Sequence, residues 1–333
     1  MKTRRLNRRA RILIIGMMLL LLMAVALRVD WKPVLSAMAM VRPAWLVGGL
    51  CLSTLGVFLR GLRLALVSGS AYRYGHGWRA FSLGYAGNLI LPLGSGELVK
   101  IATFRQLAKL SFANAAAAVL MDRILDVAGM LTVLLIFLSL SAAPVFNTGP
   151  LIFLFSIVAF LTGGIAALAW HGQRIRLWLE RRDPDKAHPR IQAWLLRFDQ
   201  LHDQSMLLRS PRRLLPLLAL QITVVFMDAF AAWLSLKAFP FGAGVGLMAA
   251  FRLNLFLIAA TALPLLPGGL GTHQVACVLA MRPYGWTQAQ SLALSLIGQG
   301  TTILWLVLQG LAALLTAPSG ILDFRPKATE DLG

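Results

Sequence analysis

The chain has 333 residues, 58% of them hydrophobic and 14% charged, with a formal net charge of +19. Its mean hydropathy of +0.73 excludes an ordinary soluble domain and indicates a helical protein that crosses a membrane several times. Basic residues in such excess can indicate nucleic-acid binding. Here they lie beside apolar segments, where membrane topology and anionic lipid headgroups explain them. We therefore predict one membrane domain over residues 1–333 and no nucleic-acid partner.

The first predicted element is an apolar segment over residues 12–28, preceded by a basic tail over residues 1–11. This order resembles a signal peptide, but no small-x-small cleavage site is clear and further apolar segments follow. A retained signal-anchor is therefore the better interpretation. The six lysines and arginines of the tail place the N-terminus in the cytoplasm.

Five more segments approach or exceed the ~20 residues that an apolar helix needs to cross the hydrocarbon layer. They cover residues 44–67, 112–140, 151–170, 214–237 and 290–316, and residues 317–333 form a tail. Together with the first segment they give about six full spans. The predicted fold class is an all-α, polytopic integral membrane protein.

Two further apolar regions are interrupted by proline and glycine, which free backbone groups that lipid cannot hydrogen-bond. Residues 80–110 are interrupted between Pro92 and Gly96, and residues 248–283 between Pro264 and Gly271. Each region is predicted to be a re-entrant hairpin or, alternatively, a pair of tilted spans. The turn residues expected at the two tips are Pro92, Gly94 and Gly96, and Pro267, Gly268, Gly269 and Gly271.

Loop charge predicts the sidedness of these elements, because cytoplasmic loops of membrane proteins are enriched in lysine and arginine. The loop over residues 171–213 carries ten of them, whereas the loops over residues 141–150 and 238–246 carry no charge. The basic loop is therefore predicted inside and the other two outside, with both termini in the cytoplasm. Residues 29–43 fit this scheme less well, since they are predicted outside although they contain two basic residues.

The basic loop contains one further predicted helix, over residues 191–209. Its apolar face is formed by Ile191, Trp194, Leu195, Phe198 and Leu201. A helix with one apolar face lies either on the inner membrane surface or against the protein itself, and the sequence leaves both interpretations open.

The order span, hairpin, span occurs twice, over residues 44–140 and 214–316. Counting spans gives the two copies opposite orientations, and the matching turn residues are about 175 positions apart. This is the pattern of an inverted-topology repeat, whose halves meet near the bilayer midplane in transporters. We therefore predict that the two hairpin tips converge there and line one cavity.

Several charged or polar residues lie within the predicted spans and hairpins, where a charge is costly and its presence points to function. We predict that they contribute to substrate binding; they are Glu97, Asp122, Arg123, Asp126, Asp228, Arg252, His273 and Gln274. Arg60 and Arg63 are not included, because they lie near the cytoplasmic end of their span and are expected to snorkel to lipid headgroups.

The first four of these residues also have structural interpretations. Glu97 follows the first break and is either a helix cap or a carboxylate that binds a proton or a headgroup amine. Asp122 and Asp126 share a helical face, and Arg123 reaches Asp126. These three form either a self-neutralising cluster of salt bridges or a site in which the arginine binds a phosphate through two parallel bonds.

The second half offers fewer charges, and alternatives remain open for each. Arg252 could bind a lipid phosphate or pair with Asp228. His273 could titrate near neutral pH, although a packed histidine is the simpler interpretation.

Motifs for other chemistry are missing from the sequence. It contains no GxxxxGK[ST] loop for ATP hydrolysis and no set of histidine, cysteine and carboxylate with the spacing of a metal site. Cys51 and Cys277 lie in apolar segments, as small packing residues do. We therefore predict no catalytic residues, no metal and no cofactor, and a protein that is not an enzyme.

Three blocks of the sequence resemble signature blocks of the lysylphosphatidylglycerol synthase transmembrane-region family, also called flippase-like domain proteins. They run from Pro92 to Glu97, from Ala118 to Asp126 and from Pro267 to Gly271. The resemblance covers about residues 12–316 and implies an inner-membrane protein that moves or handles a lipid-linked substrate. In bifunctional members this region flips an aminoacylated phospholipid made by an attached synthase domain. No such domain follows the last predicted span, so headgroup aminoacylation is not expected.

The chain departs from the family pattern at two positions. Gln274 follows the second glycine turn, where the family usually has an acidic residue. Asp122 stands where the Glu-Arg block of the family has glutamate. The first departure argues against a symmetric pair of acidic groups, one on each hairpin.

The sequence thus predicts a flippase-like transporter that moves a lipid or lipid-linked glycan headgroup across the bacterial inner membrane by alternating access. The alternatives are an intramembrane enzyme and an accessory subunit in lipid, glycolipid or hopanoid biosynthesis. The expected partners are membrane lipids with an anionic or glycosylated headgroup. A second copy of the chain and a lipid-synthesis protein are further candidates.

Overall fold

The computed structural model describes residues 29–68, 74–90, 95–140, 211–262 and 269–318, with isolated helical positions between residues 156 and 174. The regular elements in this part of the chain are helices, which confirms the prediction of an all-α, polytopic membrane protein. Other predicted elements lie outside the described residues: segment 12–28, helix 191–209, loop 141–150, most of span 151–170, the tail 1–11 and the chain beyond residue 318.

The described part of the chain contains nine α-helices in two groups. The first half contributes α1 (Trp31–Ala39), α2 (Pro43–Val67), α3 (Tyr74–Ile90), α4 (Gly96–Ala108) and α5 (Phe112–Leu140). The second half contributes α6 (Pro211–Lys237), α7 (Leu247–Ala262), α8 (Thr272–Met281) and α9 (Gln288–Leu315). Single 3-10 turns, Pro240–Gly242 and Arg282–Tyr284, precede α7 and α9.

Three of the described helices are long and apolar enough to cross a membrane: α2, α9 and the part of α6 from Leu214 to Lys237. They match the predicted spans 44–67, 290–316 and 214–237. The limbs of the hairpins are shorter, with 17 and 13 residues in α3 and α4 and 16 and 10 residues in α7 and α8. Each limb is therefore below the ~20 residues of a full crossing.

The two halves repeat one four-helix unit. Helices α2 to α5 have 25, 17, 13 and 29 residues, and helices α6 to α9 have 27, 16, 10 and 28. The last helix of each unit also begins with the same kind of N-terminal cap, a hydrogen bond from a backbone N–H group to a side-chain hydroxyl group. Ser111 accepts a hydrogen bond from the backbone of Asn114 at 3.1 Å, and Thr287 accepts one from Gln290 at 3.2 Å. Such hydroxyl caps satisfy backbone N–H groups that the first helical turn leaves unpaired.

The first helices of the two units, α2 and α6, pack against each other in antiparallel directions. At one end the backbone N–H of Arg42 donates to the carbonyl of Ala238 at 2.7 Å. Further along α2, Arg60 forms an ion pair with Asp228, which lies earlier in α6. The two units are therefore inverted relative to each other.

The two hairpins approach α9 from opposite ends. In the first hairpin, Arg79 near the start of α3 donates to the hydroxyl of Thr316 just after α9, at 3.1 Å. In the second hairpin, α8 ends at the turn that leads into α9, and Gln274 near its tip bonds Gln299 at 2.8 Å. The bases of the hairpins thus lie at opposite ends of α9.

The predicted turn residues lie only partly in the described chain. Pro92, Gly94, Pro267 and Gly268 lie outside the described residues, so convergence of the tips on one cavity stays a prediction. Gly269 and Gly271 have φ angles of 70° and 84°. A residue with a side chain is strained in that left-handed region, which accounts for glycine at both positions.

Residues 29–43, predicted only as an outside loop, contain the helix α1. Asp30 caps its N-terminus, and Val34 on its inner face is fully buried in a core shared with the second unit. Leu35 and Met40 on its outer face are 59% and 55% exposed. A short helix with an exposed apolar face beside a span is typical of the membrane interface.

Single-cysteine labelling can test the sidedness that loop charge predicts. In a background in which Cys51 and Cys277 are replaced by alanine, we expect Ala243→Cys to react with an impermeant maleimide in intact cells. Pro318→Cys should react only after permeabilisation, because α9 separates the two positions. Both residues are exposed. Labelling of Pro318→Cys alone in intact cells would contradict the orientation of every described helix.

Candidate functional site

A cluster of charged side chains lies between α2, α4 and α5 and extends to α6. Its four basic and four acidic members in the described chain are Arg60, Arg63, Lys100 and Arg123, and Glu97, Asp122, Asp126 and Asp228. Each member belongs to at least one ion pair, so the formal charges cancel. The structure therefore brings together five of the eight residues predicted for substrate binding. Arg252, His273 and Gln274 lie in the second unit instead.

Arg63 is the buried centre of this cluster. Its Nε donates to Oδ1 of Asp122 at 2.7 Å, and its Nη2 donates to Oδ1 of Asp126 at 2.8 Å. The side chains of Arg63 and Asp122 are fully buried, and that of Asp126 is almost so. The prediction that Arg63 snorkels to lipid headgroups is therefore wrong. Its face of α2 packs on α5, where two carboxylates compensate the desolvation of the guanidinium.

The exposed edge of the cluster is an ion pair between Glu97 on α4 and Arg123 on α5. Nη2 of Arg123 contacts Oε1 of Glu97, while Nη1 lies 3.5 Å from Oδ2 of Asp126. The side chain of Arg123 is 39% exposed and that of Glu97 is 29% exposed. Arg123 thus pairs with Asp126, whereas Asp122 pairs with Arg63. The three residues of this turn are therefore neutralised only together with partners from other helices, and not by one another.

Glu97 has a second, fully buried partner. Its Oε2 lies 3.0 Å from Nζ of Lys100, one turn further along α4. The ammonium group stands 4.0 Å above the centre of the Phe81 ring on α3, a cation–π geometry. Glu97 is also in the first turn of α4, where the helix dipole favours a carboxylate. Its position therefore fits both the capping role and the binding role predicted for it.

Asp228 connects the cluster to the second unit. Its Oδ2 lies 2.5 Å from Nη2 of Arg60. The side chain of Asp228 is 25% exposed and that of Arg60 is 16% exposed. Arg60 therefore does not snorkel, and the alternative in which Asp228 pairs with Arg252 is wrong. The reason is the antiparallel packing of α2 on α6, which places Arg60 beside this carboxylate.

Arg252 lies at the base of the second hairpin. Its Nε donates to the carbonyl of Ala280 at 3.0 Å and its Nη2 to that of Leu279 at 3.4 Å. The carbonyl groups at the end of a helix have no partner within the helix, so a guanidinium there satisfies them. Arg252 thereby joins α7 to the C-terminus of α8.

His273 and Gln274 join α8 to α9 through uncharged hydrogen bonds. Nδ1 of His273 lies 2.8 Å from Oγ of Ser295. Oε1 of Gln274 accepts from the backbone N–H of Gly271 at 2.7 Å, and its Nε2 donates to Oε1 of Gln299 at 2.8 Å. The second unit thus has polar contacts at its hairpin tip, but no ion pair there among the described residues.

Sequence reasoning missed five of the polar side chains in these contacts: Arg60, Arg63, Lys100, Ser295 and Gln299. A usable signal existed for Lys100, because Glu97 and Lys100 are three residues apart and share a helix face. The balance of buried charges gave a second signal, which pointed to missing cations. The predicted carboxylates Glu97, Asp122, Asp126 and Asp228 outnumber Arg123, so further buried cations were required.

One member of the cluster, Arg123, has donor groups that suit an anion. Among the described residues, no group of three or more histidines, cysteines and carboxylates is placed to hold a metal ion. Arg123 combines partial exposure with a planar fork of donors, the geometry that matches a phosphate or a carboxylate.

Comparison with known proteins gives one match. A family model described as "Lysylphosphatidylglycerol synthase TM region" matches residues 10–310, which include all the helices described here except the last turns of α9. No curated protein and no solved structure matches the chain.

Proposed function

The chain belongs to the lysylphosphatidylglycerol synthase transmembrane-region family, and we propose on that basis that it is a flippase-like transporter. It moves a lipid or lipid-linked glycan headgroup across the bacterial inner membrane by alternating access and catalyses no chemical change. The observation that carries this proposal is the partly exposed ion pair between Glu97, at the start of α4, and Arg123 on α5.

The ion pair supports headgroup binding because it can open without leaving an unpaired buried charge. A phosphate that approaches Arg123 displaces Glu97, whose other oxygen is held by Lys100. Asp126 likewise remains bonded to Arg63. The arginine can then form two parallel bonds to the phosphate, the strong geometry for this pair of groups. Arg123 is thus the phosphate ligand and Glu97 the group that it exchanges.

The inverted units support alternating access. Their hairpins approach α9 from opposite ends, so movement of one unit against the other would open the interior to each side in turn. Among the described residues, one ion pair joins the two units: that of Arg60 with Asp228, which lies between their first helices. It would act as a pivot around which the units rock.

Replacing Arg123 by alanine should abolish most transport and leave the protein folded. In proteoliposomes that contain fluorescent phosphatidylglycerol, we expect translocation to fall about 10- to 100-fold, since a charge-assisted hydrogen bond contributes about 1.5–3 kcal/mol. Accumulation and thermal stability should change little, because Glu97 and Asp126 each keep a basic partner.

Arg282→Ala is the matched control, because Arg282 is exposed and lies outside the cluster. Unchanged translocation in Arg123→Ala would refute the assignment of this site. A chemically altered lipid in the wild-type reaction would favour an intramembrane enzyme. Absence of translocation in the wild type would favour an accessory subunit of a lipid-synthesis complex.

A further inference from the structure

Tyr85 on α3 places a hydroxyl group beside the charged cluster. On one face of this helix it lies between Phe81, four residues earlier, and Asn88, three residues later. The centre of the Phe81 ring is 4.0 Å from Nζ of Lys100. Asn88 accepts a hydrogen bond of 2.8 Å from the N–H of Gly96 at the start of α4. Tyr85 therefore belongs to the face of α3 that packs on α4.

The contacts of its ring place Tyr85 next to the ion pairs of Glu97. The ring centre lies 5.7 Å from that of Phe81 and 5.9 Å from Nζ of Lys100. The same ammonium group is 3.0 Å from Oε2 of Glu97, whose other oxygen contacts Arg123. A short series of contacts thus joins the Tyr85 ring to the arginine that is proposed to bind the phosphate.

The hydroxyl group of Tyr85 has no hydrogen-bond partner within the described part of the chain. The residue is half-buried, and its hydroxyl group is not among the unpaired polar atoms that are closed to solvent in these residues. A phenol can donate one hydrogen bond and accept others, and a buried tyrosine usually finds a partner for its hydroxyl group. This hydroxyl group is therefore a donor that remains available to a ligand.

The charges around this hydroxyl group favour a ligand with an anionic oxygen. Two arginines and two aspartates act on it, namely Arg60, Arg123, Asp126 and Asp228. The arginines have the larger effects, and both aspartates are already ion-paired with arginines. A phosphate oxygen beside the hydroxyl group is therefore attracted by two guanidinium groups. The attraction increases when Glu97 moves away from Arg123.

We propose that the Tyr85 hydroxyl group is a further ligand of the substrate phosphate, to which it donates a hydrogen bond beside Arg123. This inference rests on the proposed function, because it adds a third donor to the two that the arginine supplies. A guanidinium group binds two phosphate oxygens along one edge, and a hydroxyl group that rotates reaches a remaining lone pair. The substrate class is a lipid whose headgroup carries a phosphate, in preference to a glycolipid whose sugar carries no charge.

The test compares phosphatidylglycerol with monogalactosyldiacylglycerol of identical acyl chains, which has hydroxyl groups but no phosphate. The full-length protein in detergent is titrated with each lipid, and native mass spectrometry measures the fraction that remains bound. We expect the wild type to prefer phosphatidylglycerol by about tenfold or more. Tyr85→Phe should weaken retention of phosphatidylglycerol by about tenfold, since a hydrogen bond to a charged group is lost. It should leave retention of the glycolipid unchanged.

The thermal transition separates a ligand role from a structural one. Tyr85→Phe keeps the ring and removes a hydroxyl group that has no partner among the described residues, so the transition without lipid should stay as in the wild type. Tyr284→Phe is the matched control, because it removes the same group from a half-buried tyrosine in the turn before α9, outside the cluster. It should retain phosphatidylglycerol as the wild type does.

Unchanged retention of phosphatidylglycerol in Tyr85→Phe would overturn the proposal, as would an equal loss of both lipids or equal retention of both by the wild type. The transporter function is judged separately, by translocation of fluorescent phosphatidylglycerol in proteoliposomes. Translocation by the wild type together with unchanged retention in Tyr85→Phe overturns only the role of Tyr85. The expected loss of retention without translocation by the wild type overturns only the transport.

Discussion

Replacement of Arg63 by alanine is expected to prevent accumulation of the folded protein, in contrast to replacement of Arg123. The guanidinium of Arg63 bonds two carboxylates, Asp122 and Asp126, in a place without solvent access. Its removal leaves uncompensated charge in the interior. The loss of one partner of a buried ion pair costs about 3–5 kcal/mol, a large part of the stability of a folded domain.

The measurement is the amount of monodisperse protein after detergent extraction, together with its thermal transition. Arg282→Ala is the control, since it removes the same group at an exposed position. The double change Asp122→Asn and Asp126→Asn in the Arg63→Ala background should restore part of the accumulation by removing the stranded charges. Normal accumulation of Arg63→Ala alone would show that the cluster contributes little to folding.

A methyl group at Gly96 should be as damaging as the loss of Arg63. A Cβ at this position would lie 2.1 Å from the carbonyl oxygen of Gly84 and 2.4 Å from Oδ1 of Asn88. The first contact is with backbone, so relief requires α3 and α4 to separate. Separation would also break the bond of 2.8 Å from the N–H of Gly96 to Asn88. We expect a cost of about 3 kcal/mol or more, at the upper end of the range for overpacking.

Gly96→Ala is best compared with Gly298→Ala, since a Cβ at Gly298 on α9 has nothing within 4 Å. We expect the first variant to lower the thermal transition and to lose translocation, and the second to keep both. A larger residue such as leucine at Gly96 should be worse still. Equal behaviour of the two alanine variants would indicate that the hairpin relaxes freely at its tip.

The helices could be predicted from the sequence because their signals are local. Apolar runs of span length located α2, α5, α6 and α9, and proline and glycine located the breaks between α3 and α4 and between α7 and α8. Opposite directions for the two units followed from the order of the elements. The hydrogen bond from Arg42 at the start of α2 to Ala238 just after α6 agrees with these opposite directions.

The side-chain partners could not be predicted, because each depends on how distant helices pack. Arg63 and Asp126 are 63 residues apart, and Arg60 and Asp228 are 168 residues apart. The snorkelling predicted for both arginines assumed that their faces of α2 meet lipid, whereas those faces meet α5 and α6. The sequence predicts Arg252 as a phosphate ligand or an ion-pair partner. Its observed bonds go to backbone carbonyl groups at the end of α8, and such partners have no signal in the sequence.

The antiparallel contact of α2 with α6 has the geometry of an isologous dimer interface enclosed in one polypeptide. In a dimer of identical subunits every substitution appears twice, so a charged pair on one side dictates the same pair on the other. Covalent linkage removes that constraint. Position 97 can then remain glutamate while its counterpart becomes Gln274, and Arg123 can remain while its counterpart becomes Gln299. A chain built from two such units can in this way have chemically different residues at equivalent positions of its two halves.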